Sequence, residues 1–514
     1  MCIRGTVSQN GFEPTHCTGT LPRGQLPSDL LIWRIMRMAT NNPSRRSFLK
    51  GSASAAALMS LPLPAMAATS TRLEWQVFKT TPQYSSFLNA VASMKAVTDA
   101  TKKTSWQYWV NVHLNNCPHM VPYFLAWHRG YIYYFEQQLR AASGNNALTL
   151  PYWDYYTHPI MPSEFTDPSR GNPLYVSGRV NTDVFSALTV APFAPSVLNM
   201  QRGTSNSYEA SFESAPHNPI HNIIGGWMAD MSSPTDPIFY LHHANVDRLW
   251  DAWAQQPTTI LPAQNSSYWS GNFTYASGLT IAKSKTYMPS LLNYQYANQK
   301  VPTVLPLDAQ EGRIIRAQAQ PAPILVRPAL GNFSPTQPRS IATNRRSLGG
   351  VANMMLDEKS VSARVPLTTA AGSSLHDAIT ANAQSTNAIN PNAQSSSVTF
   401  KYPQVVLDKV GVTSVGKNGG YYYNIYVNLP AAGDADTDRQ AHFLGTFGAF
   451  EVSGAMHHGG GALILPATDV FRNLGVTNLS EVVISLVRVN GPNSPKGPAL
   501  SVGELRVELS TDGP

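Results

Sequence analysis

Asp236-Pro237-Ile238-Phe239-Tyr240-Leu241-His242-His243-Ala244-Asn245-Val246-Asp247-Arg248-Leu249-Trp250 is the stretch from which the fold can be read. Asp236 is suited to cap a helix, and Pro237 suits the first helical position, where no backbone N–H is needed. From there the apolar residues recur at helical spacing, which predicts a helix over Pro237–Trp253. Two adjacent histidines in so apolar a helix stand out. A single buried histidine is ordinarily a hydrogen-bonded core residue, so the weight falls on how many others accompany this pair.

Five more do, all upstream. His217 and His221 lie in Pro216-His217-Asn218-Pro219-Ile220-His221, four apart, a spacing that turns two imidazoles the same way on a helix. His113 and His119 lie in Val112-His113-Leu114-Asn115-Asn116-Cys117-Pro118-His119. His128 follows in Trp127-His128-Arg129, within a helix predicted over Val121–Ala142. A further helix is predicted over Phe87–Thr98. Two sets of three imidazoles, with no carboxylate or thiolate at ligand spacing, point to a pair of copper ions rather than calcium, magnesium or structural zinc. The His-Glu-x-x-His pattern of zinc peptidases is absent.

The apparent basic balance of the chain, +7, is largely confined to its start. Residues 1–67 hold seven Lys/Arg and two Asp/Glu, leaving 30 against 28 in the remainder, and so no basic stripe for nucleic acid. Ser44-Arg45-Arg46-Ser47-Phe48-Leu49-Lys50 has the twin-arginine export form. An apolar run from Ala53 to Leu63 follows it, then Ala65-Met66-Ala67 as a cleavage site. Residues 1–67 are therefore expected to be a signal segment, with 1–35 an over-extension ahead of a true start at Met36 or Met38. The destination is periplasmic or extracellular, without stable membrane insertion. Of three cysteines only Cys117 lies beyond this segment, which leaves no intrachain disulfide.

Residues 68–298 read as helices joined by long loops and are expected to form the catalytic domain. Residues 299–396, rich in Ala, Pro, Ser, Thr and Asn, read mostly as linker or loosely packed loop. Residues 397–514 change to short β-branched runs, among them Tyr421–Leu429, Ala462–Leu465, Val482–Val489 and Leu500–Leu509, which predict an antiparallel β-sandwich domain.

The stretch from Ser105 through Phe124-Leu125-Ala126-Trp127-His128-Arg129-Gly130-Tyr131 to Glu136, resumed from Glu213 to Trp250, resembles the tyrosinase family. These type-3 copper proteins include catechol oxidases and molluscan haemocyanins. Tyr294-Gln295-Tyr296 resembles the Tyr-x-Tyr that closes the family's catalytic domain. The resemblance implies an α + β multidomain chain, with a dicopper centre in a four-helix bundle followed by the sandwich. It implies His113, His119 and His128 on the first copper and His217, His221 and His243 on the second, with His242 a neighbour. The segment from His113 to His119 is short for the family. Cys117 has the spacing at which fungal relatives form a thioether to the histidine at the position of His119.

The activity implied is oxidation of phenols by dioxygen: ortho-hydroxylation of monophenols and conversion of o-diphenols to o-quinones. Catechol oxidase and haemocyanin-like oxygen carriage are the alternatives. Glu213 and Asn218 are the residues expected to hold a proton-accepting water, and Asn222 is a candidate for substrate contact. The loop Met231–Pro234 brings no bulky aromatic, which suggests an open site. Arg129 with Glu136, and Asp247 with Arg248, are expected as structural ion pairs. The run His442–Val452 resembles the C-terminal sandwich of plant polyphenol oxidases, which lies over the copper site. It therefore suggests latency, a plug in the loop after Phe450 that includes Met456, and a nick site at Pro328–Arg346. His457-His458 reads as an exposed turn. The partners expected are small phenols and a copper-delivery protein.

Overall fold

The computed structural model describes residues 69–306, 325–384, 400–433, 436–475 and 480–513. The signal segment 1–67 lies outside the described residues. Helices form where the apolar spacing requires them. Helix α1 (Gln83–Ala96) buries Phe87, Ala90, Val91 and Met94, one stripe at 3.6-residue spacing. Helix α2 (Trp106–Asn116) buries Trp109, Val112 and His113. Helix α3 (Phe124–Ser143) starts after Tyr123 and stops at Gly144, both in left-handed backbone. All seven residues of α4 (Asn218–Ile224) are buried, as is α5 (Ile238–Ala254) from Ile238 to Trp253. Helices buried on every side belong inside a core. Helix α5 starts one residue later than expected, with Pro237 as its N-cap, and Asp236 Oδ1 accepts from the Ile238 amide at 3.0 Å. None of the described helices is long and apolar enough to cross a membrane.

The expected ion pairs are exchanged. Arg129 pairs with Asp247, Glu136 with Arg72 and Arg140, and Arg248 with Asp154. The reason is helix geometry. Arg129 and Glu136 are seven residues apart on α3, about 10 Å along the axis, and adjacent residues such as Asp247 and Arg248 point in different directions. The strands β1 (Ser70–Arg72) and β2 (Tyr294–Tyr296) pair in parallel across this network. The hydroxyls of Tyr294 and Tyr296 both donate to Asp247 Oδ2 at 2.6 Å.

The C-terminal region is rich in sheet. The strands are β3 (Ser334–Thr336), β4 (Arg339–Ala342), β5 (Arg345–Leu356), β6 (Val361–Pro366), β7 (Tyr402–Val412), β8 (Tyr421–Val427), β9 (Phe443–Gly448), β10 (Leu463–Pro466), β11 (Glu481–Asn490) and β12 (Leu500–Ser510). They form two antiparallel sheets, one ordered β10-β7-β12-β5-β3 with β4 also on β5, the other β9-β8-β11-β6. Both sheets feed one apolar core that includes Leu348, Val405, Tyr423, Ile484 and Leu505.

Residues 299–396 are therefore not simply linker: they supply β3 to β6 and the helix α6 (Thr369–Gln384). Gly349-Gly350 breaks the apolar alternation of β5 and hides it from a pattern reading. Glycine is required there because a Cβ on residue 349 would meet Pro366 O at 2.4 Å and one on residue 350 would meet Leu505 O at 2.7 Å. The expected nick site at Pro328–Arg346 contains β3 and β4, both hydrogen-bonded to β5. Sheet hydrogen bonding shields such a backbone from proteases. The described residues form one compact unit.

Candidate metal centre

Six imidazoles from four segments meet inside the helical core. In the first group His113 lies 5.5 Å from both His119 and His128, and His119 lies 5.3 Å from His128, between ring centroids. In the second, His217 is 4.6 Å from His221 and 5.1 Å from His243, and His221 is 5.8 Å from His243. The groups touch: His128 and His243 stack at 4.3 Å, and His119 and His217 lie 5.9 Å apart. Phe124 and Phe239 wall the cluster, 4.6 Å from His217 and 4.2 Å from His243 respectively.

The outward nitrogens fix which way each ring presents its lone pair. Nδ1 faces a carbonyl oxygen in three rings: His113 toward Met231 (2.9 Å), His128 toward Phe124 (2.8 Å) and His221 toward Met228 (2.7 Å). In His217 it faces Asn218 Oδ1 at 2.8 Å. An oxygen acceptor demands N–H on Nδ1, so Nε2 carries the lone pair in all four. These Nε2 atoms then confront one another. His113 and His128 are 3.4 Å apart at Nε2, as are His217 and His243. At that distance the lone pairs of His113 and His128 repel unless a cation sits between them, whereas an N–H on His243 Nε2 would donate to His217. For nitrogens about 2.0–2.1 Å from a tetrahedral ion, the mutual separation is about 3.4 Å. Burial, and then neighbouring imidazoles, hold His128, His217 and His243 well below the usual histidine range. Burial likewise takes His221 down to about 3. The rings are neutral, as ligands must be. The donor set is all nitrogen, which fits copper.

Glu213 is buried, bound to Arg202, and accepts from the Met120 amide at 2.7 Å; its Oε1 is 4.0 Å from His119 Nδ1. Burial, opposed by Arg202, pushes its carboxyl up to about 7. Asn218 Oδ1 orients His217. Cys117 is buried, with its sulfur within 4.8 Å of a ring nitrogen of both His113 and His119. Asn222, expected at the substrate pocket, is taken up elsewhere. Its Oδ1 accepts from the Phe450 amide at 2.9 Å and its Nδ2 donates to Glu451 Oε2 at 2.7 Å.

Those partners belong to helix α7 (Ala449–Gly459), where a loop was expected. Phe450 lies face to face with His221, centroids 4.1 Å apart and planes 19° apart, and edge-on to His119 at 5.3 Å and His217 at 5.9 Å. The site is thus covered, not open, and the covering residue is Phe450 itself; Met456 is 63% exposed. Gly448 makes the approach possible, since a Cβ there would lie 2.3 Å from Asn222 Oδ1. Glu451, buried, also accepts from Thr446 Oγ1 at 2.8 Å, and His457, on the exposed end of α7, reaches Leu114 O at 2.6 Å. Phe450, Glu451 and Arg202 were not singled out in the sequence as site residues. The apolar run ending at Val452 was the one available signal.

Residues 100–186 and 170–256 match the common central domain of tyrosinase. The chain carries a type-3 copper domain of the tyrosinase family. Residues 42–62 match a twin-arginine translocation signal sequence, so the chain is addressed for twin-arginine export. The tyrosinase HcTyr1 of Hahella sp. is 32% identical over 240 residues, 38% of this chain and 51% of that protein. The tyrosinase of Streptomyces glaucescens is 30% identical over 178 residues, 27% of this chain and 64% of that one. Hemocyanin 1 of Megathura crenulata is 34% identical over 167 residues, 27% of this chain and 5% of that protein. The chain spans about half the length of the Hahella relative. Latent apple tyrosinase, a solved structure, aligns over 88% of this chain and 99% of its own at 18% identity and a TM-score of 0.47.

Proposed function

We propose that this chain is a copper-dependent phenol oxidase. It ortho-hydroxylates monophenols, oxidises o-diphenols to o-quinones, and is held latent by its C-terminal region. In this reading residues 68–298 are the catalytic domain, a four-helix frame around two coppers, and the two sheets beyond it form a sandwich that covers the site. The observation that carries the proposal is the facing Nε2 pairs of His113 with His128 and His217 with His243, both at 3.4 Å, beneath the ring of Phe450.

His113, His119 and His128 would hold one copper, and His217, His221 and His243 the other. When bound, the pair supplies the redox chemistry with dioxygen. The chain's own residues do the rest. His221 offers a ring face on which a phenol would stack, the place Phe450 fills. A phenol has a pKa of about 10, so its proton must be taken before the oxygen can reach a metal. We assign that step to a water held by Glu213 and Asn218, with the Arg202 pair keeping Glu213 in place. A thioether from Cys117 to His119 would lock that ring. We assign copper loading to a separate delivery protein.

Metal analysis of the exported protein, with quinone formation from tyrosine and from dopa, tests the reading. Two coppers per chain and turnover of both substrates support it. Turnover of dopa alone reduces the activity to catechol oxidation. Two coppers without turnover, even with Phe450 truncated, favour oxygen carriage.

A further inference from the structure

The six imidazoles leave one over. His242 is completely buried, and neither of its ring nitrogens has a hydrogen-bond partner among the described residues. An imidazole always has something to offer, an N–H and a lone pair when neutral, so a buried ring with both unmatched is incomplete. Its position says what would complete it. The His242 ring lies 5.2 Å from His217, 5.0 Å from His221 and 5.1 Å from His243. One nitrogen from each of these four residues lies within 4.8 Å of the others, all buried.

The two adjacent histidines of α5 flank the second group from different sides. His243 stacks flat on His128, toward the first group, whereas His242 lies nearly parallel to His217, its planes 27° apart, and backs onto Tyr155 at 5.7 Å. We propose that His242 is a fourth nitrogen donor at the second copper position, used while that ion is taken up. The inference rests on the dicopper reading above. A permanent fourth imidazole would fill the coordination position a co-substrate needs, because catalytic metal sites keep one open. His242 therefore coordinates in the Cu(I)-loaded form and leaves the ion when a co-substrate takes that position.

The test is anaerobic Cu(I) titration of the copper-free full chain against a competing chromophoric chelator, for wild type, His242→Leu and His242→Gln. The readout is the affinity of each copper equivalent, and near-ultraviolet circular dichroism of the copper-free forms reports packing. The expected result is a second equivalent bound about 10- to 100-fold more weakly and taken up more slowly in both variants, with the first equivalent unchanged. Wild-type affinity for both equivalents overturns the proposal. So does equal weakening of both, which would make His242 a packing residue. A wild-type chain that takes up fewer than two Cu(I) sinks the dicopper reading itself, and this proposal with it.

Discussion

Replacing Phe450 by Ala should open the site, and the structure allows the size of the effect to be worked out. The ring is 2% exposed and stacked on His221 at 4.1 Å, so a phenol can occupy that place only after Phe450 leaves it. Exposing a buried Phe costs about 1.5–3 kcal/mol. Losing its ring contacts adds about 0.5–1.5 kcal/mol. Displacement thus costs about 2–4.5 kcal/mol, and the fraction of molecules open to substrate is reduced by the corresponding factor. Phe450→Ala removes that cost and should raise kcat/KM for dopa roughly 30- to 2000-fold, mostly through a lower KM. Steady-state quinone formation by equally copper-loaded proteins measures it. An unchanged kcat/KM at equal copper content would refute the reasoning, since it would mean that substrate reaches the metals by a route Phe450 does not block.

Gly448→Ala should act in the same direction without touching the ring, because the added methyl cannot fit against Asn222; activation with a lowered Tm is the expected pair of results. Glu213→Gln should reduce tyrosine hydroxylation by about 100-fold while sparing dopa oxidation, a split that separate assays of the two substrates would reveal. Arg129→Met should cost about 3–5 kcal/mol in urea unfolding, because it takes a guanidinium from the buried Asp247 carboxylate. Asp251 is pushed by burial up to about 6, so it holds its proton in the folded chain where the unfolded chain has lost it. Its contribution to stability is full below the unfolded value of about 4 and is lost as pH rises through the folded value. Asp251→Asn should flatten the fall in stability across that interval, as read by urea titration on either side of it.

Three of the helices and four of the strands could be read because their causes are local. Apolar spacing placed α1, α3 and α5 to within a few residues, and alternation did the same for β8, β10, β11 and β12. The histidines could be read as two groups for a related reason: His217 and His221 share a short segment, and so do His113 and His119. Ion-pair partners could not be read. Arg129 finds Asp247 and not Glu136 because helices pack by shape, and no spacing along one helix says which neighbour will face it.

The sequence by itself determined the helical core, the export signal and the histidines that bring copper chemistry. Only the tertiary structure decided how that chemistry is covered. Asn222 and Glu451 are 229 residues apart in the chain, yet their hydrogen bond helps to set Phe450 on His221. The unmatched nitrogens of His242, the strands hidden in 299–396 and the closed face of the site have the same origin. Each depends on which distant surfaces come together, and that is fixed by the burial of whole faces rather than by any short run of residues.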